Sequence, residues 1–266
     1  MLKVEFSQAS DPGLLRDHNE DSLGCVLPQT PDEARLRGWL FALADGVGGQ
    51  QRGEVASSMA VESVLHGFRG AVRGDALSAV LPRLIQDANA KIFEAGMATD
   101  ISGSAMATTL VVCALRYDRA IVAHVGDARC YLIRKHQAVA LTRDHTISNE
   151  QLRLGLVSSK EAARSETSHV LSRAIGSNMF LQVDTSEHPV FAGDMLLLCS
   201  DGLHHSVAPT DIAAIVGTGS DLDGAARKLV SLAKERDGSD NISLQLIQVR
   251  SVERVGMYRG RQYKIH

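Results

Sequence analysis

From Leu2 to Val249 the chain alternates short apolar runs with turn residues. The pattern predicts strands near 2–8, 22–27, 39–45, 107–116, 119–125, 129–135, 181–187, 194–200 and 241–249. Three stretches instead carry apolar residues close to helical spacing. The first covers about 54–69, through Val55, Met59, Val61, Val64, Leu65 and Phe68. The second covers about 75–97, from Leu77 and Val80 to Ala88 and Ile92, and the third about 222–236, through Leu222, Ala226, Leu229 and Ala233. Asp75, and Asp221 or Asp223, are placed to cap two of them. Strands thus precede a helix pair, a block of strands follows, and a helix comes before the last strand. Regular βαβ alternation is missing, which argues against a parallel doubly wound sheet. An α+β fold, with two antiparallel sheets packed face to face and helices outside, suits the order. No internal repeat and no linker divides 1–250.

Size and composition narrow this little. At 266 residues, 44% of them apolar, the chain is long enough to bury a substantial core without covalent staples. A net charge of −3 argues neither for nucleic acid nor for an acidic membrane surface as the main partner. No stretch approaches the length of an uninterrupted apolar membrane span, and the start reads as a strand rather than a leader. Cys25, Cys113, Cys130 and Cys199 lie singly inside apolar runs. They read as buried reduced thiols, which fits a reducing cytoplasm.

The chemistry lies in the acids. Asp45 ends the run Trp39–Ala44, Asp201 ends Met195–Ser200, and Asp240 opens Ile242–Ile247. Glu20 and Asp21 follow Arg16-Asp17-His18-Asn19. A carboxylate at the end of a buried strand is expensive to desolvate unless something positive awaits it. Several converging would repel one another, and a bound divalent cation removes that conflict. Carboxylates without paired His or Cys suit Mg²⁺ or Mn²⁺. Taken singly, each acid also fits a loop, turn or helix-cap role. The glycines after Asp45 lack the strand–GxxxxGK[ST]–helix setting of a nucleotide P-loop.

The ordered motifs resemble the type 2C (PPM) family of metal-dependent serine/threonine protein phosphatases, in its bacterial form. They run from Arg16–Asp21 through Asp45-Gly46-Val47-Gly48-Gly49, Gly53–Ser57, Ala107–Thr109 and Val125–Tyr131. Leu141–Thr146, Leu171–Gly176, Asp194–Leu203 and Asp240–Ser243 complete the series, so the match spans about 3 to 250. The resemblance implies a four-layer α-β-β-α sandwich with a metal site at one rim between the sheets. It implies hydrolysis of phosphoserine and phosphothreonine on proteins by a hydroxide that bridges two Mn²⁺ or Mg²⁺ ions, opposite a serine/threonine kinase. Asp45 would bridge both ions. The Gly46 carbonyl and Glu20 or Asp21 would complete one side, and Asp201 and Asp240 the other. Arg16 would grip substrate phosphate, as a guanidinium fork can. Asp127 fits two readings equally, a ligand of a third, weaker ion or a structural turn acid. Residues 144–170 correspond to the family's flap. The expected unit is a monomeric cytoplasmic phosphatase domain over 1–250, followed by a basic tail, 251–266. That tail reads as a solvated end, a docking segment or a junction.

One departure stands out. Many animal members carry a histidine directly after Asp-Gly, a candidate proton donor to the leaving group, and this chain has Val47. The proton must then come from metal-bound water or another group, and His18, His145, His204 and His205 are candidates by residue type alone. Two rival readings remain: a partner-binding member without metals, and a phosphohydrolase acting on a small metabolite. The intact acid set opposes the first; the depth of the pocket bears on the second.

Overall fold

The computed structural model describes residues 1–47, 52–71, 74–99, 106–162, 164–217, 221–258 and 261–264, with side chains at all of these except 99 and 256–264. One sheet holds β1 (Lys3–Asp11), β11 (Ile242–Ser251), β10 (Met195–Cys199), β7 (Arg129–Arg134) and β8 (Gln137–Ala140), in that order. The other holds β2 (Asp21–Val26), β3 (Trp39–Val47), β5 (Leu110–Arg116), β6 (Arg119–Val125) and β9 (Asp184–Pro189), and β4 (Ala107–Thr108) pairs with the end of β3. Every pairing is antiparallel.

The period of two along each strand builds three apolar layers. On β3, Trp39, Phe41 and Leu43, with Val111 and Cys113 of β5, face the other sheet and meet its Cys130, Leu196, Leu198 and Ile247. Leu40, Ala42 and Ala44 face outward onto α2 (Gly53–Gly70) and α3 (Leu77–Thr99). On the other sheet, Met195, Leu197, Leu244 and Leu246 face α6 (Asp201–His204), α7 (Pro209–Gly217) and α8 (Leu222–Arg236). Central strands buried on both faces read as continuous apolar runs. The result is the expected four-layer α-β-β-α sandwich.

Differences from the sequence reading are local. The strand expected at 181–187 forms at 184–189, because Leu181 and Val183 pack onto the α2–α3 core from an irregular segment. Helix α3 begins at Leu77, two residues beyond Asp75, whereas Asp221 takes the N-cap position of α8 but its side chain makes no capping hydrogen bond. Elements the sequence pattern does not predict include α1 (Pro31–Leu36), β8, α6, α7 and a hairpin of β12 (Val255–Tyr258) with β13 (Arg261–Lys264) inside the basic tail. Arg259 lies outside the described residues. Segment 144–170 contains α4 (Ile147–Arg153), α5 (Ser159–Ala162) and a 3₁₀ turn at Glu166–His169. Among the described residues, no helix is long and apolar enough to cross a membrane.

Candidate active site

Asp21 opens β2 and Asp45 lies near the end of β3, and the register sets them directly opposite each other. The Asp45 backbone is clamped from β4. Thr108 Oγ1 and Thr109 N–H both donate to its carbonyl (2.7 and 2.8 Å), and Asp45 N–H donates to Thr109 Oγ1 at 3.2 Å. The Thr108 backbone in turn pairs with Ile175, which ties two distant motifs to one carboxylate. Gly46 N–H donates to Glu20 O at 3.1 Å. A Cβ on Gly46 would collide with the Gly53 backbone, so only glycine lets α2 start this close to the end of β3.

The other sheet supplies the facing acids. Asp201 opens α6 directly after β10, and Asp240 lies two residues before β11. Ser200 Oγ donates to Asp21 Oδ2 at 2.9 Å and so links the sheets. Asn241 ties the loop before β2 to this rim. Its Nδ2 donates to Pro12 O (3.0 Å) and His18 O (2.9 Å), and its Oδ1 accepts Glu20 N–H (2.8 Å). Arg16, carried on that loop, donates from Nη2 to Asp240 Oδ2 at 2.9 Å.

These residues frame a cleft of about 680 Å³. Arg16, Glu20, Asp45, Gly46, Asp127, Asp201 and Asp240 all line it, and His169 to Ala174, Ser177 and Asn178 form part of its wall. Of the paired acids Glu20 and Asp21, Glu20 lines the cleft and Asp21 does not. Gly48 and Gly49 lie outside the described residues.

The electrostatics are costly without a cation. Burial, then repulsion from Asp21, Asp201, Asp127 and Asp240, holds the Asp45 carboxyl well above the usual carboxylate range. Burial is also the largest influence on Asp21 and Asp127, each pushed up to about 7. Asp201 and Glu20 rise for the same reason, with His205 opposing the rise at Asp201 and Arg16 that at Glu20. Asp21 Oδ1 is buried without a hydrogen-bond partner. An all-oxygen, acid-rich donor set with an orphaned carboxylate oxygen fits a hard divalent ion.

The histidines separate cleanly. His204 is buried with Nε2 3.0 Å from Asp127 O, and His205 Nδ1 stands 3.7 Å from Asp201 Oδ2. His145 lines a different, smaller cavity. The imidazole on the cleft wall, among the described residues, is His169, whose ring meets His205 edge-on at 4.6 Å. Nothing in the sequence distinguished His169 from the other nine histidines. The tying role of Asn241 was likewise invisible, because its partners come from residues more than 220 positions away.

The family model described as protein phosphatase 2C matches residues 19–235. The chain belongs to the protein phosphatase 2C family. It is 33% identical over 251 residues to the serine/threonine phosphatase Stp of Listeria monocytogenes, covering 93% of this chain and 96% of that one. It is 31% identical to protein phosphatase PhpP of Streptococcus pneumoniae, covering 92% and 98%. Among solved structures, the serine/threonine phosphatase of S. agalactiae superposes with a TM-score of 0.81 at 30% identity, covering 93% of this chain and all of that one. The catalytic domain of PstP in complex with two manganese ions superposes at 0.77 and 30% identity, covering 94% and 99%. This protein phosphatase 2C is accordingly a bacterial-type serine/threonine phosphatase.

The phosphatase has a second group of ligand-type side chains, His124, His145 and Asp184. It is a poor place for a cation. Arg173 already donates to Asp184 Oδ1 at 2.9 Å, His124 Nε2 lies 2.8 Å from Arg143 O, and the two imidazoles stack at 4.7 Å. His145 Nδ1 accepts Gly126 N–H (3.2 Å), and the His145 backbone N–H donates to Gly126 O (2.9 Å). The group thereby joins the root of segment 144–170 to the turn that carries Asp127.

Proposed function

We propose that the cleft hydrolyses phosphoserine and phosphothreonine on proteins at a dinuclear Mn²⁺ or Mg²⁺ centre. The observation that carries this reading is the convergence of Glu20, Asp45, Asp201 and Asp240 from both sheets onto one wall beside Arg16. Asp45, Glu20, the Gly46 carbonyl, Asp201 and Asp240 are the groups that would hold the two ions, with Asp45 the candidate shared ligand. Asp21 lies opposite Asp45 in the β2–β3 register and off the cleft wall. Asp127, also on the cleft wall, would offer a carboxylate to a third, weaker ion. Divalent ions held there would supply an activated water near neutral pH and would offset charge on the phosphoryl oxygens.

The chain's own groups do the rest. Arg16 is half exposed and uses one nitrogen on Asp240, which leaves guanidinium N–H groups for phosphate oxygens. Val47 lines the cleft but holds no proton, so the departing serine or threonine oxygen needs another donor. His169 is the side chain of suitable type on the wall. Segment 144–170 acts as the flap, since its end, His169 and Val170, forms part of the wall. Phosphoester on a protein hydroxyl comes from nucleoside-triphosphate-dependent phosphoryl transfer, so a serine/threonine kinase is the opposing activity. The chain's four free cysteines suit the reducing cytoplasm, and a monomer is the unit proposed.

The test is phosphate release from a phosphothreonine peptide and from a phosphorylated small metabolite by the same preparation. Preference for the peptide supports the reading. Turnover of the metabolite alone would transfer the site to small-molecule chemistry.

A further inference from the structure

Phe180 is 84% exposed, the most exposed large apolar side chain among the described residues, and Met179 beside it is 57% exposed. Their backbone is nevertheless firmly held. Asn89 of α3 is fully buried and spends all its amide on this segment. Its Oδ1 accepts Gly176 N–H (2.8 Å), and its Nδ2 donates to Asn178 O (2.9 Å) and Met179 O (3.1 Å). Gln86 repeats the device on the surface, donating to Met179 O (3.0 Å) and accepting Leu181 N–H (3.3 Å). A buried amide is costly unless its hydrogen bonds are met, and here they are met by an irregular segment rather than by a helix or sheet. An aromatic ring on a fixed backbone offers contact area at low entropic cost.

The segment is continuous with the cleft. Ser177 and Asn178 line it, and Phe180 follows two residues later. Two residues of chain reach at most about 7 Å, which matches the reach of one or two residues of an extended substrate peptide. We propose that Met179 and Phe180 form an apolar shelf beside the cleft that receives an apolar side chain of the substrate, within three residues of the phosphorylated serine or threonine. The inference rests on the phosphoprotein-phosphatase reading above and deepens it into a sequence preference.

The test uses phosphothreonine peptides in which each position within three residues of the phosphothreonine is set in turn to leucine, serine or aspartate, with p-nitrophenyl phosphate as a substrate too small to reach the shelf. The whole enzyme with Mn²⁺ is compared with Phe180→Ser and with Val139→Ser, an exposed apolar position on β8. The expected result is a KM about tenfold lower for leucine at one flanking position, lost in Phe180→Ser and kept in Val139→Ser, with the ratio of peptide to aryl-phosphate kcat/KM falling accordingly. An identical preference profile in the wild type and Phe180→Ser would overturn the shelf while leaving the phosphatase reading intact. A dimer by light scattering that Phe180→Ser dissociates, with no change in the profile, would assign the surface to a second copy and equally overturn it. Turnover of p-nitrophenyl phosphate without any peptide hydrolysis would overturn the phosphoprotein reading, and the shelf with it.

Discussion

Asp21 and Asp45 face each other across β2 and β3 as a directly opposed pair of acids. Like charges in that position destabilise a sheet. Here burial adds to the conflict, and the clamp of Thr108 and Thr109 prevents Asp45 from relaxing away. The fold therefore stores an acid cluster that a cation relieves.

That conflict has a pH signature in metal-free protein. Asp127 has a folded pKa of about 7 against an unfolded value of 3.8, raised chiefly by burial. Below 3.8 both states hold the proton. Between 3.8 and 7 the folded state holds more protons than the unfolded one, so stability falls as pH rises and the loss is complete above about 7. In EDTA, wild-type protein should lose on the order of a few kcal/mol more than Asp127→Asn between pH 4 and pH 8. Urea unfolding at a series of pH values measures this; parallel curves for the two proteins would remove the strain from Asp127.

Asn241→Ala unties Pro12, His18 and Glu20 at once. The expected cost is about 1–3 kcal/mol in stability, since buried groups lose their partners. Because Glu20 sits on the freed segment, the Mn²⁺ concentration for half-maximal activity should also rise. Unchanged metal demand in a destabilised variant would confine Asn241 to folding.

The Arg129–Asp144 pair is bidentate, at 2.9 and 2.6 Å, and joins the strand after Asp127 to the start of segment 144–170. Arg129→Met should cost about 3 kcal/mol by leaving a largely buried carboxylate alone, and Arg129→Met with Asp144→Leu should cost less. A thermal-melt cycle over the four proteins decides this. Additive losses would mean that the pair carries no coupling.

Arg16→Lys keeps the charge and loses the fork. KM for a phosphopeptide should rise about tenfold with a smaller change in kcat, because the interaction is made with bound substrate as well as in the transition state. Steady-state kinetics at saturating Mn²⁺ would show it, and an unchanged KM would leave Arg16 as a partner of Asp240 alone.

Much of this was legible in the sequence where a residue's own neighbours set its environment. Asp45, Asp201 and Asp240 could be placed because each borders an apolar strand run. The layers followed because Trp39–Ala44 and Met195–Cys199 are apolar at every position. The turn between β7 and β8 was not legible. It uses Lys135 and His136 at φ +50° and +60°, a conformation usually signalled by glycine or asparagine. Helix α7 was missed although Pro209 starts it and Gly217 ends it, because Ile212–Val216 reads equally as a short strand. The roles of Asn241, Asn89 and His169 depend on long-range contacts that no local pattern encodes.

The most direct test of the central claim is phosphate release from a phosphothreonine peptide by metal-stripped enzyme, with Mn²⁺, Mg²⁺ or Ca²⁺ restored separately, alongside Asp45→Asn. The expected result is activity with Mn²⁺ or Mg²⁺ in the wild type and none in Asp45→Asn, with both proteins showing the same folded circular-dichroism spectrum. Mn²⁺-dependent turnover retained by Asp45→Asn would contradict a centre bridged by Asp45.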